Sequence, residues 1–258
     1  MKITKYIMAS MLSAMVVACS SDDMEQAIDK DRPQALGLVC SVGGSTRTVS
    51  GMDAWTGDGT ELLDVFVTFN STSVKDTGVY EVINSLGETS VVSGLYWPSV
   101  STTANVVARY PAGSGDTVCI SHQENGFKAF DYLCGSVDNV AHKADATITF
   151  THKMAKLCVI VPAFSETDVS MQVPSDTLVY FASDNTVKVP EDAITGYIEA
   201  CPDVANHAFE LLLPPQTIAA GRTIYYRIGE KNYRYTLTGN MELTENKVDT
   251  LYIKQATI

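Results

Sequence analysis

Two stretches near the start of the chain carry residues placed for chemistry. The first is Val16-Val17-Ala18-Cys19. It ends a short apolar run from Ile7 to Val17 that follows the basic Lys2 and Lys5. A small residue before a cysteine, behind such a run, resembles a lipobox, in which the peptide is cut and the Cys19 thiol is acylated. The run is too short to span a bilayer and reads as the apolar part of a signal peptide over residues 1–18. Ser20-Ser21-Asp22-Asp23 follows, and residues 19–33 are polar and end at Pro33, so they read as a tether. The second stretch is Gly43-Gly44-Ser45-Thr46-Arg47-Thr48, a small-residue loop with a basic residue near its end. Loops of this composition are accessible to proteases.

Other chemistry is not indicated. The sequence contains no His-Glu-x-x-His, no Gly-x-Ser-x-Gly, no phosphate loop and no dinucleotide fingerprint. The histidines at 122, 142, 152 and 207 are scattered, and Gly57-Asp58-Gly59 lacks the ligand spacing of a calcium loop. Beyond Cys19 the cysteines are Cys40, Cys119, Cys134, Cys158 and Cys201, an odd number with no C-x-x-C pair. That pattern indicates neither a disulfide framework nor a zinc site, although a Cys119–Cys134 bridge stays open. No catalytic residue, metal or cofactor is expected, and the chain is not expected to be an enzyme. The formal net charge of −12 repels phosphate backbones and argues against nucleic acid as a partner.

These features sit on a β-rich chain. It has 258 residues, 45% hydrophobic and 19% charged, enough for a packed core. Apolar residues alternate with period two at Leu36, Leu38, Cys40 and Val42. They do so again at Leu63, Val65, Val67 and Phe69, at Val106, Ala108 and Tyr110, and at Leu157, Val159 and Val161. Ile224, Tyr226 and Ile228 are expected to pair with Tyr233, Tyr235 and Leu237 in a hairpin across Gly229-Glu230-Lys231-Asn232. Many short strands broken by Gly, Ser, Asn and Pro predict an all-β chain built of sandwiches. The division falls near residue 150, giving an N-terminal sandwich over 34–150 and a C-terminal one over 151–258.

Six stretches together resemble the fimbrillin family, the pilins of Bacteroidales. They are Thr46-Arg47-Thr48 before Trp55, Leu95-Tyr96-Trp97-Pro98, Ala108-Arg109-Tyr110-Pro111, Thr151-His152-Lys153-Met154-Ala155-Lys156-Leu157, Leu213-Pro214-Pro215-Gln216-Thr217-Ile218, and Asn246-Lys247-Val248-Asp249-Thr250-Leu251-Tyr252-Ile253. The resemblance implies two transthyretin-like β-sandwiches in tandem and a pilus subunit. It implies export to the surface of the outer membrane through lipid at Cys19, and then cleavage by an arginine-directed protease. Arg47 matches that cut, between Arg47 and Thr48. The strand carrying Leu36, Leu38, Cys40 and Val42 would then leave, and a strand of another fimbrillin subunit would fill the groove.

The chain ends at Ile258, soon after the Thr250–Ile253 stretch, so it is expected to accept a strand rather than donate one, as a tip or minor subunit does. If it is not cleaved, it is instead an anchor or a free surface lipoprotein. The other class of function is a monomeric surface lipoprotein that binds glycan or peptide through Tyr225, Tyr233 and Tyr252, or through Trp55 and Trp97. Core packing is the plainer explanation for both tryptophans.

Overall fold

A computed structural model describes residues 34–43, 54–98, 103–113, 115–193 and 195–254. These described residues belong to one compact unit. Its first strands are β1 (Leu38–Val42), β2 (Leu62–Phe69), β3 (Val74–Val82), β4 (Thr89–Ser93), β5 (Thr103–Tyr110), β6 (Val118–Cys119), β7 (Leu133–Ala141) and β8 (Ala146–His152). They are followed by β9 (Ala155–Ile160), β10 (Val169–Asp176), β11 (Leu178–Phe181), β12 (Val187–Lys188), β13 (Thr195–Glu199) and β14 (Cys201–Asp203). The last are β15 (Ala208–Leu213), β16 (Gln216–Ile218), β17 (Thr223–Ile228), β18 (Lys231–Thr236), β19 (Met241–Leu243) and β20 (Val248–Tyr252). Helical structure among the described residues is confined to the 3-10 turns Lys128–Phe130 and Val204–Asn206.

The first half makes one seven-stranded sheet in the order β1-β8-β7-β5-β2-β3-β4. All its pairings are antiparallel except β1 with β8, which is parallel, with Leu38 opposite Ala146 and Val42 opposite Phe150. The period-two residues behave as their spacing predicts. Leu63, Val65, Val67 and Phe69 of β2 and Ala104, Val106, Ala108 and Tyr110 of β5 all point inward. They form a core with Leu36, Leu38, Cys40, Trp55, Tyr80, Trp97, Ile148 and Phe150.

A second core is built mainly from the later strands. Two four-stranded sheets, β14-β15-β9-β20 and β13-β10-β17-β18, supply most of it, with β12-β11-β6 and β16-β19 at its margins. The predicted hairpin is present: Ile224 faces Tyr235 and Tyr226 faces Tyr233. Its turn is tighter than the sequence suggests, because Ile228 pairs with Lys231 and leaves Gly229-Glu230 at the tip, with Gly229 at φ 57°. A glycine takes that left-handed backbone without a Cβ clash.

The two cores do not follow the chain in a simple way. Ile120, Phe127, Tyr132 and Cys134 precede residue 150 yet belong to the second core. β6 pairs with β11, so residues 118–132 form an excursion from the first half onto the second. Gln123 is buried there. Its Nε2 donates to the carbonyls of Ile120 (3.0 Å) and Leu212 (2.9 Å), and its Oε1 accepts from the Leu212 N–H (2.8 Å). Cys40, Cys119, Cys134, Cys158 and Cys201 are all free thiols, so no Cys119–Cys134 bridge forms.

Candidate strand-exchange groove

β1 is the end strand of the first sheet beside β8, and its free flank is bonded in turn to segments around β4 at the opposite end. On one flank it pairs with β8 over five residues. The Ala146 N–H donates to the Gly37 carbonyl (2.8 Å), and the Gly43 N–H donates to the Phe150 carbonyl (2.7 Å). On the other flank it meets the segments on either side of β4. The Leu36 N–H donates to the Leu95 carbonyl (2.8 Å), the Trp97 N–H to the Gln34 carbonyl (2.9 Å) and the Cys40 N–H to the Gly87 carbonyl (2.8 Å). The Thr89 hydroxyl donates to the Leu38 carbonyl at 2.7 Å.

The side chains are seated as firmly as the backbone. Leu36, Leu38 and Cys40 are 0%, 3% and 1% exposed, while Val42 is half-buried. Full burial is worth roughly 1.5–3 kcal/mol for each leucine. Burial pushes the Cys40 thiol up to about 12. Without β1, the flanking carbonyls and N–H groups would lose their partners and an apolar trough would open, the condition under which a sheet accepts a replacement strand.

The wall across from β8 is the part that sequence reading overlooks. It is set by the turn from Asn84 to Glu88. The Asn84 side-chain oxygen accepts from the N–H groups of Leu86 (3.0 Å) and Glu88 (3.1 Å), the usual way an Asn closes a turn. Gly87 follows at φ 79°, and a Cβ on it would meet the Cys40 carbonyl oxygen at 1.6 Å. The Asn84-Ser85-Leu86-Gly87 composition signals a turn, but nothing in it says that the turn closes over a strand some forty residues earlier.

Cys19, Arg47 and Thr48 lie outside the described residues. Two of the family-like motifs supply polar contacts, and Arg109 links β5 of the first sheet to the turn between β11 and β12. Arg109 donates to the Asn185 side-chain oxygen from Nε (3.0 Å) and Nη2 (2.6 Å) and to the Ala182 carbonyl (3.1 Å). Its guanidinium lies 4.8 Å from the Phe66 ring centre and 5.4 Å from that of Phe181. His152 and Asp131 are both fully buried and paired at 2.8 Å. Lys156, also buried, bonds Glu210 at 3.0 Å and sits 5.4 Å from the Phe127 ring.

Trp55 and Trp97 are 3% and 4% exposed. Trp55 packs edge-on against Tyr110 and Phe150, and Trp97 against Phe69. They are core residues and offer no platform to a sugar. Tyr225 and Tyr252 are exposed, and Tyr233 is half-buried and stacked on Tyr226 at 4.9 Å. Tyr225 and Tyr233 line an open cleft of about 380 Å³ with Ser170, Gln172, Arg227 and Asn232.

The chain is all-β, and β1 closes its first sheet. The fimbrillin-like family profile matches residues 46–257, and the chain belongs to that family. No curated protein matches the sequence. Among solved structures it is similar to a candidate cell adhesion protein from Bacteroides ovatus, with a TM-score of 0.67 and 13% identity over 88% of this chain and 95% of that one. A candidate cell adhesion protein from Bacteroides uniformis is similar at TM-score 0.63 and 18% identity, over 86% of this chain and 93% of that one. A fimbrial protein from Bacteroides ovatus is similar at TM-score 0.52 and 13% identity, over 86% of this chain and 49% of that one. At these identities the likeness concerns the fold alone.

Proposed function

We propose that this chain is a fimbrial subunit assembled by strand exchange. It is exported as a lipoprotein, acylated at Cys19 and carried to the outer surface of the outer membrane. An arginine-directed protease cuts between Arg47 and Thr48. The strand bearing Leu36, Leu38, Cys40 and Val42 departs, and a strand of another fimbrillin subunit takes its place in a fimbrium used for cell adhesion. In this reading the chain holds tandem transthyretin-like sandwiches over 34–150 and 151–258, with the excursion through Ile120, Phe127 and Tyr132 packed on the second core. If Arg47 is not cut, the same chain serves as the lipid-held anchor of the fimbrium.

The observation that carries this reading is the seat of β1. It is a short strand at the N-terminal end of the sheet, bonded by backbone on both flanks, and Arg47 stands a few residues beyond it in the sequence. Family membership supports the pilus role. The test is the mass and N-terminal sequence of the protein taken from the cell surface. A start at Thr48 is expected of the assembled subunit. A start at acylated Cys19 throughout overturns cleavage and leaves an anchor or a free surface lipoprotein.

A second reading, a monomeric lipoprotein that binds glycan or peptide, rests on the cleft beside Tyr225 and Tyr233. Tyr225→Ala with Tyr233→Ala should leave pilus assembly intact under the first reading and abolish ligand capture under the second.

A further inference from the structure

The excursion that carries β6 onto the second core brings three metal-ligating side chains together. His122 and Glu124 stand just after β6, and Glu199 ends β13. The backbone clamps them in place. The Glu199 N–H donates to the Ser121 carbonyl (2.7 Å), and the Gln123 N–H donates to the Glu199 carbonyl (3.0 Å). The side chain of Gln123, between the two ligand positions, is the buried amide already described, so this stretch is fixed from beneath. Preorganisation of this kind is what a binding site needs of its supporting residues.

The donor atoms converge on one point. His122 Nδ1 is 3.1 Å from Glu199 Oε2 and 3.9 Å from Glu124 Oε2, and all three donor atoms lie within 4.8 Å of one another. Zinc bound tetrahedrally at about 2.0–2.2 Å holds its ligands roughly 3.3–3.5 Å apart, between the two measured spacings. A second observation is independent of this spacing. Glu124 Oε2 is itself shielded from solvent and has no hydrogen-bond partner, although the Glu124 side chain as a whole is 41% exposed. A shielded carboxylate oxygen without a donor is costly, and a cation would satisfy it. The outer oxygen of Glu199 is also occupied, since Gln172 Nε2 donates to Glu199 Oε1 at 3.5 Å. An outer partner of this type orients a carboxylate ligand.

We propose that His122, Glu124 and Glu199 bind one divalent transition-metal ion of the zinc type. One imidazole nitrogen and two carboxylate oxygens suit such an ion, and water would complete its shell. With three protein ligands on two separate strand ends, the ion would fasten the excursion to β13.

The test uses the mature chain without a histidine tag, stripped with EDTA, and titrated calorimetrically with zinc chloride. One equivalent is expected to bind and to raise the melting temperature. His122→Ala and Glu199→Gln should each weaken binding by more than the ten- to hundredfold that removal of an outer-shell partner costs. Both should abolish the zinc-dependent rise in melting temperature. The pairing of His122 with Glu199 is solvent-exposed, so replacing His122 should lower the metal-free melting temperature only slightly, which separates ligand loss from misfolding. Cobalt bound in place of zinc should give a visible absorption band that His122→Ala removes. Absence of saturable zinc binding, or zinc binding undiminished in His122→Ala, overturns the proposal.

Discussion

The Tyr80 hydroxyl donates a hydrogen bond to the Leu36 carbonyl at 2.8 Å, in the interior of the first core. It ties β3 to the segment that leads into β1. Burial pushes the Tyr80 phenol up to about 12. Tyr80→Phe keeps the ring and leaves a buried carbonyl without this donor, which costs about 1–3 kcal/mol. A lower denaturant midpoint with an unchanged slope is the expected result in a denaturation curve.

Gly87 leaves no room for a side chain. Alanine there must adopt an unfavourable left-handed φ and also push against the Cys40 carbonyl. Gly87→Ala should therefore destabilise the β1 side of the sheet by about 2 kcal/mol or more. Hydrogen exchange should show the loss first at the Cys40 and Leu36 amides, whose acceptors lie in that wall. Unchanged protection at both amides would refute this account of the wall.

Cys40 would report the departure of β1 under the proposed strand exchange. Its thiol is buried and its ionisation suppressed, whereas Cys119 is exposed. Thiolate is the reactive form, so an alkylating reagent should modify Cys119 and spare Cys40 while β1 is seated. Peptide mapping after limited cleavage at Arg47 should find Cys40 on the released fragment and open to the reagent. Equal labelling of both thiols in the uncut protein would mean that β1 does not stay seated.

Glu61 makes stability depend on acid. Its carboxylate is buried and accepts from the N–H groups of Thr56 (2.9 Å) and Gly57 (2.8 Å), and Lys128 Nζ is 2.9 Å away. Burial alone would raise its pKa. The bonds from Lys128, Thr56 and Gly57 outweigh burial and hold it below the ordinary range. A depressed folded-state pKa contributes stability that is present above the unfolded value of about 4.3 and is lost as pH falls through the folded value. Glu61→Gln should be less stable than the parent at neutral pH, and the gap should narrow below about pH 4. Melting temperatures across that range read the effect directly.

Arg109 is not replaceable by lysine. Its fork contacts Asn185 twice and lies between two aromatic rings, a geometry that an ammonium group does not reproduce. Arg109→Lys should lose most of what Arg109→Ala loses, on the order of 2 kcal/mol, measured by chemical denaturation.

The sequence reveals which residues face inward more readily than which strands meet. Alternation at Leu63 to Phe69 and at Leu36 to Val42 identifies both strands and their buried faces, because a side-chain period of two is a local property. The hairpin of β17 and β18 is legible for the same reason: its turn is short and the pairing is between neighbours. The parallel pairing of β1 with β8 is not local. Ser41 and Thr149 touch across 108 residues of chain. No local pattern encodes that distance, and the resemblance to a known family has to supply it. The excursion through Ile120, Phe127 and Tyr132 is hidden likewise, since their apolar character fits either core. His122 and Glu199 meet only because that excursion happens, so a search by spacing passes them over.

The way β1 is seated also bears on mechanical load. Its hydrogen bonds run across the strand on both sides, to β8 and to the Gly87 and Leu95 carbonyls. Tension along the strand axis would strain these bonds together in shear, whereas a strand peeled from an open edge gives them up singly. A replacement strand in the same seat would inherit that arrangement, so the joint between subunits would be strongest in the direction in which a filament is pulled.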